Sequence, residues 1–157
     1  MSPLIVPILA KHRTTQPAPE SQIAEWEQQN GVLMPESLKA IYRLSNGLRM
    51  GPDDDPTFLL HPIEEVETIS MAIYGEPPGE SGPPTMFGLI RLHDGDYAAL
   101  DLAARSESDP YRIVDGFTET IHLTWKNPKV IAANIEEFFI KADRHLTKPC
   151  AYWWLNG

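Results

Sequence analysis

Five histidines, one cysteine and twenty-two carboxylates are the residues of this 157-residue chain that could do chemistry. A metal centre needs ligands at paired spacing, and a nucleophilic site needs a base and an orienting group beside the nucleophile. His12, His61, His93, His122 and His145 stand far apart, and Cys150 has no companion motif. The glycine-rich run at residues 75–82 lacks the lysine and the strand-to-helix setting of a phosphate loop. Asp53, Asp54 and Asp55 are consecutive, whereas a calcium loop alternates its oxygen ligands and ends on a distal glutamate. These residues therefore carry no catalytic, cofactor or metal assignment.

What the carboxylates offer instead is charge. The net charge is -9, and it is unevenly spread. Between Asp53 and Asp109 thirteen acids face two bases, a local net of -11, while the remainder sums to +2. Such a block repels phosphate backbones and attracts basic surfaces, so it disfavours direct nucleic-acid binding and favours a basic protein partner. The plainer account is a solvated acidic surface. The candidate docking residues are Asp53, Asp54, Asp55, Glu64, Glu65, Asp94, Asp96 and Asp101, although Asp94 and Asp96 also suit a turn.

The elements that must position these acids begin with a helical pair. Ser21 is an N-cap candidate, Ile23 and Trp26 follow at helical spacing, and Asn30-Gly31 supplies a stop. Pro35 fits the first turn of a second helix, with Leu38, Ile41, Tyr42 and Ser45 on one face and Asn46-Gly47 closing it. Upstream, Pro3 and Pro7 interrupt an apolar run and predict an edge strand or a packing segment rather than a helix. Downstream, residues 51–56 read as a loop, Phe58 to Leu60 as a buried strand, and Ile63 to Ile73 as a helical turn or short helix.

Four prolines and three glycines make residues 75–85 a loop. Strands at 87–92 and 96–102 flank Asp94-Gly95, a pair suited to a two-residue hairpin. Alternation places Ala98, Leu100 and Leu102 on the core face and turns Asp101 outward. Strands at 111–115 and 117–125 complete a meander, the last with Phe117, Ile121, Leu123 and Trp125 in common parity. Asn134 caps a closing helix with Glu137 at the third position, burying Ile135, Phe138, Phe139 and Ala142. The sum is an α+β fold, a twisted antiparallel sheet of about four to six strands with helices packed mainly on one face.

Trp26-Glu27, Met34-Pro35-Glu36, Tyr42 and Asn46-Gly47 together resemble the N-terminal signature of the SMI1/KNR4 (SUKH) superfamily. The run FGLIRLHDGDYAALDL resembles that family's central hairpin, and NIEEFFIKA its closing helix, so the likeness spans residues 20–143. The turn departs from it, with Gly95 alone between Asp94 and Asp96 where relatives often have several glycines. With the chain's length, which fits one domain, the resemblance leads us to expect one SMI1/KNR4-like domain over residues 1–157, its core at 20–143 and segments 1–18 and 146–157 docked on it. It also implies a non-enzymatic protein binder, since the superfamily includes bacterial immunity proteins that neutralise toxins, often nucleases. The alternative it implies is a scaffold or regulatory subunit of a cellular complex.

One cysteine, no positive region ahead of the short N-terminal apolar run and no apolar stretch near ~20 residues lead us to expect a cytoplasmic protein without a membrane span. Tyr152, Trp153 and Trp154 suit either docking on the chain's own sheet or contact with a partner.

Overall fold

The computed structural model describes residues 3–52, 56–103, 111–117, 119–146 and 152–154, with the backbone only of Arg13. Its first element, α1 (Ile5–Lys11), corrects the expectation for the N-terminus. Pro7 is the third residue of α1, where a backbone N–H has no intrahelical partner, so a proline is tolerated there. Ile5, Ile8 and Leu9 then form a buried stripe at helical spacing.

Strand β1 (Arg13–Thr14) leads to α2 (Glu20–Asn30), which Pro19 rather than Ser21 opens and Gly31 closes. Pro19 suits that position because its carbonyl accepts from the amides of Gln22 and Ile23. Helix α3 (Glu36–Tyr42) starts from Pro35 and stops before Ser45. Ser45 is buried, accepting from the Thr15 amide at 2.8 Å and donating to the Gly47 carbonyl at 2.5 Å.

The sheet is built from β1, β2 (Leu48–Met50), β3 (Phe58–Leu60), β4 (Glu67–Thr68), β5 (Met86–Leu92), β6 (Tyr97–Asp101), β7 (Arg112–Gly116) and β8 (Val130–Ala132). Every pairing is antiparallel, in the order β1-β2-β3-β5-β6-β7-β8, with β4 also on β5. The α+β class holds. The sheet is wider than four to six strands because the two-residue strands β1 and β4 pair along it.

One face carries the main core. Leu48, Met50, Phe58, Leu60, Phe87, Ile90, Ala98, Leu100 and Ile113 meet buried residues of α1, α2, α3 and α6 (Ile135–Arg144) there. The other face holds a second buried cluster of Ile69, Met86, Ala99, Val114 and Ile121 under α4 (Ile69–Tyr74) and α5 (Ile121–Thr124). Gly88 permits this approach, since a Cβ there would sit 3.0 Å from the Ala72 Cβ.

One strand expectation and one turn expectation fail for identifiable reasons. The described residues of 117–125 form no strand; Ile121–Thr124 is the short helix α5, and β8 takes the edge beside β7. Phe117, Ile121 and Trp125 are four apart, a spacing that fits a helix as well as strand parity, and Leu123, the residue that separates the two readings, is 75% exposed. The β5–β6 connection is a three-residue loop, His93 to Gly95, with the Leu92 amide donating to the Asp96 carbonyl at 2.8 Å. Gly95, at φ 91°, absorbs the extra residue.

Helix α6 folds as its sequence predicts. The Asn134 side chain accepts from the Glu137 amide at 2.8 Å, and the Glu137 carboxylate accepts from the Ala133 amide. Phe138 and Phe139 meet edge to face at 5.7 Å. Against Phe138 lie Trp153 and Trp154; Tyr152 and Trp154 are buried with rings stacked 4.6 Å apart. Trp153 donates its indole N–H to the Ile131 carbonyl at 2.9 Å, and Lys129 donates to the Trp154 carbonyl. Among the described residues no helix is long and apolar enough to cross a membrane.

Urea unfolding checks both features. Asn134→Ala is expected to lower the unfolding free energy by about 1 kcal/mol through loss of the cap. Trp154→Ala is expected to lower it by about 3–5 kcal/mol through the cavity it leaves. A loss well below about 1 kcal/mol for Trp154→Ala would show that the aromatic contacts add little to the core.

Candidate functional site

The eight candidate acids do not share one surface. Asp53, Asp54 and Asp55, in the connection from β2 to β3, lie outside the described residues. Glu64 and Glu65 sit exposed on a 3-10 turn (Ile63–Glu65) that follows β3. Asp94 and Asp96 stand at the β5–β6 loop, where an Asp94 carboxylate oxygen accepts from the Asp96 amide at 3.1 Å.

Asp101 is a correction. Expected to point outward, it is 3% exposed. Its parity is as read, but the face opposite the main core is itself covered, so alternation does not lead to solvent. One carboxylate oxygen accepts from the Ala103 amide at 3.0 Å, and the other meets Arg112 Nε at 3.0 Å and an Arg112 terminal nitrogen at 2.9 Å. Both guanidinium nitrogens thus converge on one carboxylate oxygen, and the buried pair removes Asp101 from any docking surface.

The 3-10 turn is held from two sides. Asn46 Oδ1 accepts from the Ile63 amide at 2.8 Å, while its side-chain amide donates to Glu64 at 3.0 Å; Gln22 on α2 donates to the same Glu64 oxygen at 3.1 Å. His61 Nδ1 lies 3.2 Å from Glu65. Burial nevertheless pushes the His61 imidazole below its ordinary pKa, outweighing the pull of Glu65 toward the charged form. Trp26 donates its indole N–H to the Val66 carbonyl at 3.0 Å, which fixes α2 against the end of the turn.

At the other end, Asp115 is raised above the ordinary carboxylate range, by burial first and then by the charge of Asp96. Lys129 opposes that rise. Asp115 stands opposite Ala98 and so on the side of the main core. Glu65 and Glu67 instead act electrostatically on Tyr97, which belongs to the second cluster on the other side. The acids thus form one set along the 3-10 turn and β4 and another at the hairpin tip.

Lys and Arg answer many acids elsewhere. Glu27 pairs with Lys39 at 3.1 Å, Asp143 with Lys11 at 3.0 Å, Glu137 with Lys141 at 3.2 Å, and Glu20 with Arg43. Glu25, Glu64 and Glu67 make no such ion pair among the described residues. These three line a groove of about 510 Å³ between α2 and the 3-10 turn, β4 and α4. Sequence reasoning missed Glu25 and Glu67 as site residues. The signal for Glu25 was present on α2, where Gln22, Glu25 and Gln29 recur along one helical face beside Trp26; Glu67, on β4, had none.

Among the described residues no group of three His, Cys, Asp or Glu is placed to hold a metal ion. The arrangement offers hydrogen-bond acceptors and negative charge on a fixed frame. Residues 17–141 match the model of the SMI1/KNR4 family (SUKH-1). The chain belongs to that family. No curated protein matches the chain. The SMI1/KNR4 match takes in the groove, the 3-10 turn and the hairpin, and it excludes α1 and the aromatic residues 152–154.

Two predictions follow the buried groups. Asp101→Ala leaves Arg112, one-third exposed, without its carboxylate, and is expected to cost about 2–3 kcal/mol in urea unfolding. The His61 pKa is depressed from 6.5 in the fold, so below that value the unfolded chain binds more protons. Its contribution to stability is therefore full above about pH 6.5 and falls as pH drops toward the folded value. Unfolding midpoints at about pH 7.5 and about pH 5.5 should differ more in the wild type than in His61→Gln.

Proposed function

We propose that this SMI1/KNR4 chain is a cytoplasmic immunity-type protein that binds a cognate bacterial toxin through acidic surface and blocks the toxin's basic substrate cleft. The family supplies the class of function, protein binding without catalysis. The observation that carries the finer reading is the concentration of acid between Asp53 and Asp109, where the local net is -11 against +2 in the rest of the chain.

A nuclease cleft is basic because it must hold phosphates, and an acidic protein can occupy it by offering carboxylates in their place. The candidates among the described residues are Glu64 and Glu65 on the 3-10 turn and, separately, Asp94 and Asp96 at the hairpin tip, while Asp53, Asp54 and Asp55 are candidates from the sequence alone. Complementary charge of this kind accelerates encounter and selects the partner, while close-packed contacts slow release.

Affinity capture from the native host, washed at low and then moderate salt and read by mass spectrometry, tests the reading. A single basic toxin domain, lost as salt rises, is the expected result. Recovery of a housekeeping complex in its place would overturn immunity in favour of a scaffold role. With the captured toxin, Asp94→Lys combined with Asp96→Lys is expected to slow association by about tenfold at low salt, with a smaller effect at high salt. An unchanged association rate would remove the hairpin tip from the interface.

A further inference from the structure

The groove between α2 and the 3-10 turn, β4 and α4 combines an apolar floor with an acidic rim. Its floor is Trp26, Ile63 and Val66, and its rim carries Glu25, Glu64 and Glu67. No lysine or arginine lines it. The neighbours that hold its acids are neutral amides: Gln22 and Asn46 on Glu64, and Gln29, at 3.3 Å, on Glu25. Amide donors fix a carboxylate's position without cancelling its charge, whereas most paired acids of α2, α3 and α6 are met by Lys or Arg. Met71, 40% exposed on α4, places a thioether at the mouth, where an aliphatic stem can lie.

We propose that this groove seats an arginine side chain presented by a protruding loop of a protein partner, with the guanidinium among Glu25, Glu64 and Glu67 and its stem along Met71. The assignment rests on the protein-binding reading above and adds where, and by which side chain, the partner is gripped. Charge complementarity selects a cation. The planar guanidinium, with five donors, suits several fixed oxygen acceptors better than a point ammonium does.

The test uses the full chain, isotopically labelled and followed by two-dimensional NMR, titrated at low salt with the capped peptide acetyl-Gly-Arg-Gly-amide and with its neutral citrulline counterpart. The arginine peptide is expected to give saturable shifts at Gln22, the Trp26 indole, Gln29, Thr68 and Met71, and the citrulline peptide none. Combining Glu25→Gln, Glu64→Gln and Glu67→Gln, which keeps the hydrogen-bond acceptors, is expected to weaken binding about tenfold. Met71→Lys, a change at an exposed position, supplies the chain's own cation and should compete to a similar extent. Shifts confined to Asp94 and Asp96, an equal response to citrulline, the lack of a saturable response, or undiminished binding by the triple variant would overturn the assignment. A captured toxin whose affinity the triple variant leaves unchanged would overturn it too while immunity stands. Saturable arginine binding in the groove, together with capture of a housekeeping complex, would support it while immunity falls.

Discussion

Strand β5 has to satisfy two partners along one edge, and much of the candidate surface follows from that requirement. Leu60 of β3 stands opposite Ile90, and Glu67 of β4 opposite Gly88, with both strands antiparallel to β5 and therefore running the same way. Only Leu89 separates those two positions, a step of about 7 Å along the sheet. Six residues, 61 to 66, must cross it. His61 takes one place, its amide donating to the Leu89 carbonyl at 3.1 Å, and the surplus has to leave the sheet. It leaves as the 3-10 turn that carries Glu64 and Glu65. The exposure of those acids is thus a consequence of chain length against strand register, and Asn46, Gln22 and Trp26 then fix the direction in which the surplus projects.

The same two-sided use of the sheet explains what was legible in the sequence. Helix α6 could be read residue by residue because cap, first-turn charge and apolar face are all local signals and agree. Strand parity in β6 was equally legible, but parity names two faces and does not say that either is wet. Asp101 was misplaced because Arg112, α4 and the second cluster arrive from elsewhere in the chain. Pro7 misled for the opposite reason, since a helix tolerates proline only in its first turn and the start of α1 is marked by no capping side chain. The acids of the groove were half legible. Glu64 stood out in a charged run, whereas Glu25 joins it only when α2 packs against the turn.

Charge in this chain is divided between two uses. Acids on α2, α3 and α6 that pair with Lys39, Arg43 or Lys141 tie residues close in space and leave little net field. The exposed pairs among them, Glu20 with Arg43 and Glu137 with Lys141, contribute little to stability because water screens them. The acids of the groove make the opposite trade. Glu64 and Glu25 are held by amides, which leave their charge uncancelled for a cationic side chain to meet. Buried Asp101 belongs to neither class. Its ion pair with Arg112 anchors the end of β6 to β7, and its substitution reports on folding rather than recognition.

The segments outside the family match bear on which surface is left for a partner. α1 precedes residue 17 and packs on α6, joined by Lys11 and His12 to Asp143, and residues 152–154 pack against Phe138 of the same helix. A partner approaching α6 would therefore meet the chain's own α1 and its indole rings, where the Trp153 N–H already donates to the Ile131 carbonyl and Lys129 to the Trp154 carbonyl. The groove beside α2 has no such cover among the described residues. Its floor is fixed by the Trp26 to Val66 hydrogen bond, and Glu64 and Glu25 on its rim are held by Gln22, Asn46 and Gln29. A site arranged before binding loses less freedom on binding, so a few contacts there yield more affinity than the same contacts on a surface that must first be ordered. If the chain binds a partner as proposed, that asymmetry favours α2 and the 3-10 turn, rather than α6, as the side that meets it.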